Sequence, residues 1–295
     1  MTDTTSTSRD RVQRFLFEEA DIRGEVIQLE NTYQDVIGIH QYAPAVSRLL
    51  GEFMAAAALL ATTLKFEGKL ILQARSEGQV PLLMAECDNA LNLRAIARGA
   101  QQATADRFDQ LLAGGQLAIT VDPTHGNRYQ GIVPLVENSL AHSLDAYFRQ
   151  SEQLGSRFWL AANGKQAGGM ILQQLPAQQE VDQTLRNQQW GHACTLAETL
   201  TEQELHNLSA PEIAHRLYHQ EPLRIFEPRP VRFRCNCSRE RTLNALASLP
   251  VADIRELLAE LGSITMDCEF CNQQYQFLEA DLVAVLGHDQ PDQLH

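Results

Sequence analysis

Positive charge is the first thing this sequence is short of. In 295 residues, 24 lysines and arginines stand against 37 aspartates and glutamates, a formal net charge of −13. Broad binding to nucleic acid or to an anionic membrane needs a basic face, so the balance argues against both. A secretory leader is missing too: "MTDTTSTSRDRVQ" is polar and has no apolar core. The most apolar run, "MAAAALLATTL" (54–64), falls short of the roughly 20 residues that span a bilayer. Catalytic fingerprints are also lacking. There is no G-x-S-x-G, G-x-G-x-x-G or H-E-x-x-H, and "GKQAGGM" (164–170) does not have the order of a phosphate loop. No internal repeat is visible. These absences lead to the expectation of a cytoplasmic protein that is not an enzyme and has neither nucleic acid nor membrane as a partner.

What is present reads as an α+β protein. Residues 1–8 are Thr/Ser-rich and expected to be disordered. "PAVSRLLGEFMAAAALLATTL" (44–64) predicts a helix, with Val46, Leu49, Phe53, Leu60 and Leu64 near one face. Its apolar surface reads as core and not as a docking face. Short β-like runs lie at 23–29, 69–76, 80–87, 91–98, 116–122, 129–136, 157–163 and 169–175, and a further helix is expected near 139–152. Such short connections predict a mixed or antiparallel sheet packed with helices. The segment that follows is glutamine-rich and weakly apolar. Thr201 with Glu204 and Ser209 with Glu212 each fit a capping box. Three parts are therefore expected: an α+β domain over 9–177, a lightly anchored, metastable helical linker over 178–230, and a small unit over 231–287.

That last unit holds four of the six cysteines. Cys235 and Cys237 form a C-x-C pair, and Cys268 and Cys271 a C-x-x-C pair. Four thiolates in two close pairs can supply one closed tetrahedral zinc site, hence one Zn²⁺ per chain. The intervening sequence predicts two short helices, 238–249 and 250–262, with Gly262 as a C-cap, then two short strands around the second pair. A unit this small buries little core and depends on such a metal. Arg232, Arg234, Arg239 and Arg241 crowd the first pair, and positive charge favours the oxidisable thiolate. An inert zinc site remains open on these residues. So does a zinc-ribbon adaptor that binds nucleic acid or protein when reduced, although residues 228–271 hold six arginines against six acids and show no basic footprint. A thiol–disulfide enzyme using the C-x-x-C pair is a third reading.

"CNCSRERTLNAL", "MDCEFCNQQYQF", "YQGIVPLV" and "GGMILQQLP" together resemble the 33 kDa redox-regulated heat-shock chaperone family (heat shock protein 33). The resemblance spans the chain. It implies zinc on Cys235, Cys237, Cys268 and Cys271 in a reduced, inactive form. Oxidation then forms the disulfides Cys235–Cys237 and Cys268–Cys271, the zinc unit and the linker unfold, and the protein dimerises. The result is an ATP-independent holdase for unfolded client proteins. A bridge across one intervening residue is expected to be strained and labile, as a regulatory bridge should be.

Three other features read blandly. Cys87 ends an apolar run and is expected to be a buried small hydrophobe. Cys194 lies in the linker without a partner near it in sequence. His215 and His219, spaced i, i+4, lack a third ligand and read as a solvated helix face.

Overall fold

The computed structural model describes residues 9–63, 67–135, 138–151 and 155–283. The expected disorder of 1–8, the end of the first long helix at Leu64 and the last residues of the C-terminal unit lie outside them. The chain divides into two compact units, Met1–Arg234 and Cys235–His295.

In the first unit, strands β1 (Arg11–Phe17) and β2 (Ile22–Leu29) lead into helices α1 (Asn31–Ile37) and α2 (Pro44–Thr63). There follow β3 (Gly68–Arg75), β4 (Leu82–Asp88), β5 (Asn92–Arg98), the single turn α3 (Phe108–Leu111), β6 (Gln116–Pro123) and β7 (Tyr129–Pro134). Helix α4 (Leu140–Ser151), β8 (Ser156–Ala162) and β9 (Ala167–Gln174) complete the part read as the first domain. Next come α5 (Gln183–Ala197), α6 (Glu202–Asn207), α7 (Ala210–Tyr218), and the short strands β10 (Leu223–Ile225), β11 (Arg229–Pro230) and β12 (Arg232–Phe233). These elements build two six-stranded sheets. One has the order β10-β1-β2-β9-β8, with β11 also on β1; the other runs β12-β5-β4-β3-β6-β7. Every pairing is antiparallel except β12 on β5.

Helix α2 packs against strands of both sheets. The single apolar stripe expected for it is therefore too narrow a description: Ala45, Val46 and Leu49–Gly51 are buried, as is everything from Phe53 to Thr62. The run of alanines explains how. Small side chains let two sheets approach one helix closely, and at Gly51 even a Cβ would stand 2.8 Å from Ala162 and from Tyr33. At 20 residues α2 is long and apolar enough to cross a membrane, yet its most apolar window is 83% buried inside the protein, so it is a core helix. Its last carbonyls are satisfied from neighbouring strands, Thr62 O by Arg14 and Thr63 O by Arg23.

Both predicted capping boxes form, at Thr201/Glu204 on α6 and Ser209/Glu212 on α7. The segment they belong to buries more than its composition announces. Ala193, Ala197, Leu205, Ile213, Leu217 and Tyr218 join Phe15, Phe17, Ile22, Val26, Met170 and Leu172 in a core of their own on the outer face of the first sheet. Small residues do much of this work, which is why the sequence reads as weakly apolar. The segment is also pinned at its start. The Asp21 carboxylate accepts N–H bonds from Gln178, Gln179 and Glu180, and Arg186 Nη1 donates to it at 2.6 Å. Both side chains of this ion pair are buried.

The second unit contains α8 (Arg239–Leu246), α9 (Val251–Leu261), the hairpin β13 (Ile264–Asp267)–β14 (Gln274–Phe277) and a 3-10 turn at Glu279–Leu282. Gly262 caps α9 at φ 72°, in the left-handed region where glycine is favoured. Among the described residues, five apolar side chains, Leu246, Ile254, Ile264, Phe277 and Leu282, form its buried core. That is a thin core for an independent unit.

Candidate metal centre

Cys235 and Cys237 lie in the extended stretch just before Ser238, whose hydroxyl caps α8 by accepting the Arg241 N–H. Cys268 and Cys271 sit in the turn of the β13–β14 hairpin. There the Cys268 N–H donates to Gln273 O, and the N–H groups of Cys271 and Asn272 both donate to Cys268 O. The turn closes through Asn272, which adopts φ 56°. Asparagine tolerates this left-handed conformation better than most residues.

The two loops bring all four sulfurs within 4.8 Å of one another. Two contacts cross between the loops: Cys235 Sγ to Cys268 Sγ is 3.6 Å and Cys237 Sγ to Cys271 Sγ is 3.5 Å. All four are free thiols and half-buried. Sulfurs around a four-coordinate ion with bonds of about 2.3 Å stand about 3.8 Å apart, so the cluster has the dimensions and the soft donors of a tetrathiolate metal site. Among the described residues, no other group of three or more metal-type donors comes together.

Burial pushes the Cys268 and Cys271 thiols up, and the other sulfurs of the cluster add to the rise at Cys271. At Cys268 the N–H of Phe270 pulls the other way. Crowded thiols of this kind ionise together only with a cation among them. Two of the arginines that crowd the first pair, Arg239 and Arg241, spend donors on carbonyls and a carboxylate. Arg239 donates to Gln276 O at 2.6 Å, pairs with Asp281 at 2.8 Å and lies 4.5 Å from the Phe277 ring centre. Arg241 donates to Asn236 O at 2.8 Å. Arg239 thus ties the start of α8 to the hairpin, and Arg241 ties α8 back to the first cysteine loop, structural roles that their sequence positions do not reveal.

A contact the sequence reading did not assign lies beside the cluster. The Tyr275 hydroxyl, on β14, donates to Cys237 Sγ at 3.1 Å. That bond is the main reason its phenol pKa is pushed up to about 12.

The bland readings hold. Cys87 is fully buried, and burial raises its thiol pKa. Cys194 is buried in α5, its thiol pushed up to about 12 chiefly by desolvation. The exposed His215 and His219 rings stand edge to face at 6.1 Å, and among the described residues they belong to no group of three metal-type donors.

Residues 10–278 match the family model described as Hsp33 protein. A protein of Ectopseudomonas mendocina named 33 kDa chaperonin is 52% identical over 290 residues, covering 96% of this chain and 98% of its own. One of Pseudomonas aeruginosa with the same name is 52% identical over 281 residues, covering 94% and 95%. The crystal structure of the Thermotoga maritima 33 kDa chaperonin superimposes with a TM-score of 0.79 over 95% of this chain and 98% of that one. At 20% identity that likeness speaks for the fold.

Proposed function

This chain belongs to the Hsp33 protein family of chaperones, and from that premise we propose that it is a redox-regulated holdase that works without ATP. The observation that carries the reading is the cluster of four sulfurs in a unit whose described residues bury five apolar side chains. In the reduced protein Cys235, Cys237, Cys268 and Cys271 hold one zinc ion, which keeps the thiolates together and with them the fold of the unit, a contribution of about 10–16 kcal/mol in small zinc modules. Oxidation joins Cys235 to Cys237 and Cys268 to Cys271. Each neighbouring pair already lies within 4.8 Å, so no long movement is needed. With its four donors consumed, the unit loses its main support.

Residues 178–230 act as the metastable linker and 9–177 as the client-binding domain. The packing described above bears on the second role, because the segment covers an apolar face of 9–177. Helices α5–α7 lie over Phe15, Phe17, Ile22, Val26, Met170 and Leu172, all at most 4% exposed. Release of the helices would bare a continuous aromatic and aliphatic face of the first sheet, the kind of patch that binds unfolded chains. The oxidised protein is a homodimer in the cytoplasm, and its partners are unfolding proteins.

Light scattering of a heat-unfolded client tests the reading. Protein oxidised beforehand is expected to suppress aggregation, and reduced, zinc-loaded protein is not. Suppression by the reduced form alone, or by neither, would overturn it.

A further inference from the structure

Tyr275 is the side chain outside the four cysteines that reaches furthest into their chemistry. It leaves β14 opposite Met266 of β13, its ring half-buried against the small core, and its hydroxyl spans back to Cys237 on the other loop at 3.1 Å. A hydrogen bond to a thiolate draws on the lone pair with which the sulfur attacks an oxidant, and outer contacts of this kind tune metal-thiolate sites. We propose that Tyr275 restrains the oxidation of Cys237 and so helps set the oxidant level at which the cluster opens. The inference rests on the redox reading above and adds to it a positioning residue.

The step it governs is attack on a peroxide. The Cys237 sulfur gives an electron pair to one peroxide oxygen, the O–O bond breaks, and a sulfenic acid forms as hydroxide leaves. A neighbouring thiolate then attacks the sulfenic sulfur, an S–S bond forms and a second hydroxide leaves. Two thiolates are oxidised by two electrons in total and one peroxide is reduced. In the first step the Tyr275 hydroxyl competes for the same lone pair. The plain alternative is that Tyr275 fills space and its hydroxyl takes the nearest acceptor, as half-buried tyrosines do.

Tyr275→Phe in the reduced, zinc-loaded, full-length protein separates the two. Hydrogen peroxide is added, and loss of each thiol is followed by alkylation and mass spectrometry, with zinc release read by a chromogenic chelator. Cys237 is expected to react roughly three- to tenfold faster than in the unchanged protein, the range of one hydrogen bond, with the thermal midpoint of the C-terminal unit unmoved. An unchanged rate at Cys237 would overturn the proposal. So would equal acceleration of all four thiols with a lowered midpoint, because the hydroxyl would then act through packing. If the unchanged protein itself kept its thiols and zinc under peroxide, the redox reading would fail, a result distinct from either.

Discussion

Two single residues make sharp tests of the local physics. Asn272 closes the second cysteine loop at φ 56°, a conformation that costs most side chains roughly 1–2 kcal/mol. Asn272→Gly should therefore leave the C-terminal unit as stable as before. Asn272→Val should weaken it by about that amount, seen as zinc loss at a lower concentration of a competing chelator. Glu52 of α2 tests the electrostatics of the first unit. Burial first, and then the Glu202 carboxylate at the start of α6, push its pKa up to about 8, with Arg48 opposing. A carboxyl raised on folding stabilises the docked state most fully below its unfolded pKa near about 4.3, and that support is lost as the pH climbs through about 8. The melting temperature should accordingly fall between pH 6 and pH 9, and Glu52→Gln should flatten the decline. No sequence motif marks either residue: Asn272 is conspicuous only once the turn is seen, and Glu52 only once α6 is found beside α2.

At the scale of elements, the pin between Asp21 and Arg186 decides how firmly the helices α5–α7 begin. Burial alone would raise the Asp21 carboxyl, but three backbone N–H groups and the Arg186 guanidinium outweigh it and hold the group below its ordinary value. A lowered carboxyl stabilises above its unfolded pKa and ceases to do so as the pH falls through the folded one, so acid should loosen this pin. Asp21→Asn leaves a buried guanidinium without its counter-charge, a change that in other proteins costs about 3–5 kcal/mol. Limited proteolysis of the reduced protein should then cut within 178–222 sooner than in the unchanged protein, while zinc stays bound. Full protection would show the pin to be dispensable. The elements themselves were legible to differing degrees. Strands β2–β9 and helices α2, α4, α8 and α9 follow periodicity and caps, which are local signals. β10–β12 did not announce themselves: two or three residues beside Pro228 and Pro230 carry no period, and they are strands because β1 and β5 offer free edges. The split into two sheets was equally hidden, since β2 finds its partner β9 far along the chain.

Across the whole molecule the two units differ in what sustains them. The first is built around a helix buried on nearly every side; the second, in its described residues, around a small apolar cluster and four sulfurs. Removing zinc with a chelator under mild oxidation should therefore release amide protons of 235–283 within seconds while those of α2 remain protected, as hydrogen exchange would record. Loss of α2 protection at the same rate would mean that the units do not unfold separately. The cysteine positions were plain from spacing alone, but their mutual arrangement was not. Counted along the chain, the sulfur contacts between the loops link residues 33 and 34 apart. Held together, these atoms tie off long loops; paired with their sequence neighbours, as proposed, they would tie off almost none. On the chain-entropy account a covalent tie across 33 residues would limit the unfolded ensemble by about 3.7 kcal/mol at 25 °C, and one across three residues limits it by only about 1.6. Oxidation would thus do more than empty a binding site. It would exchange the long-range contacts of the folded unit for short covalent ones made of the same four atoms, and so leave the oxidised chain almost unconstrained at long range.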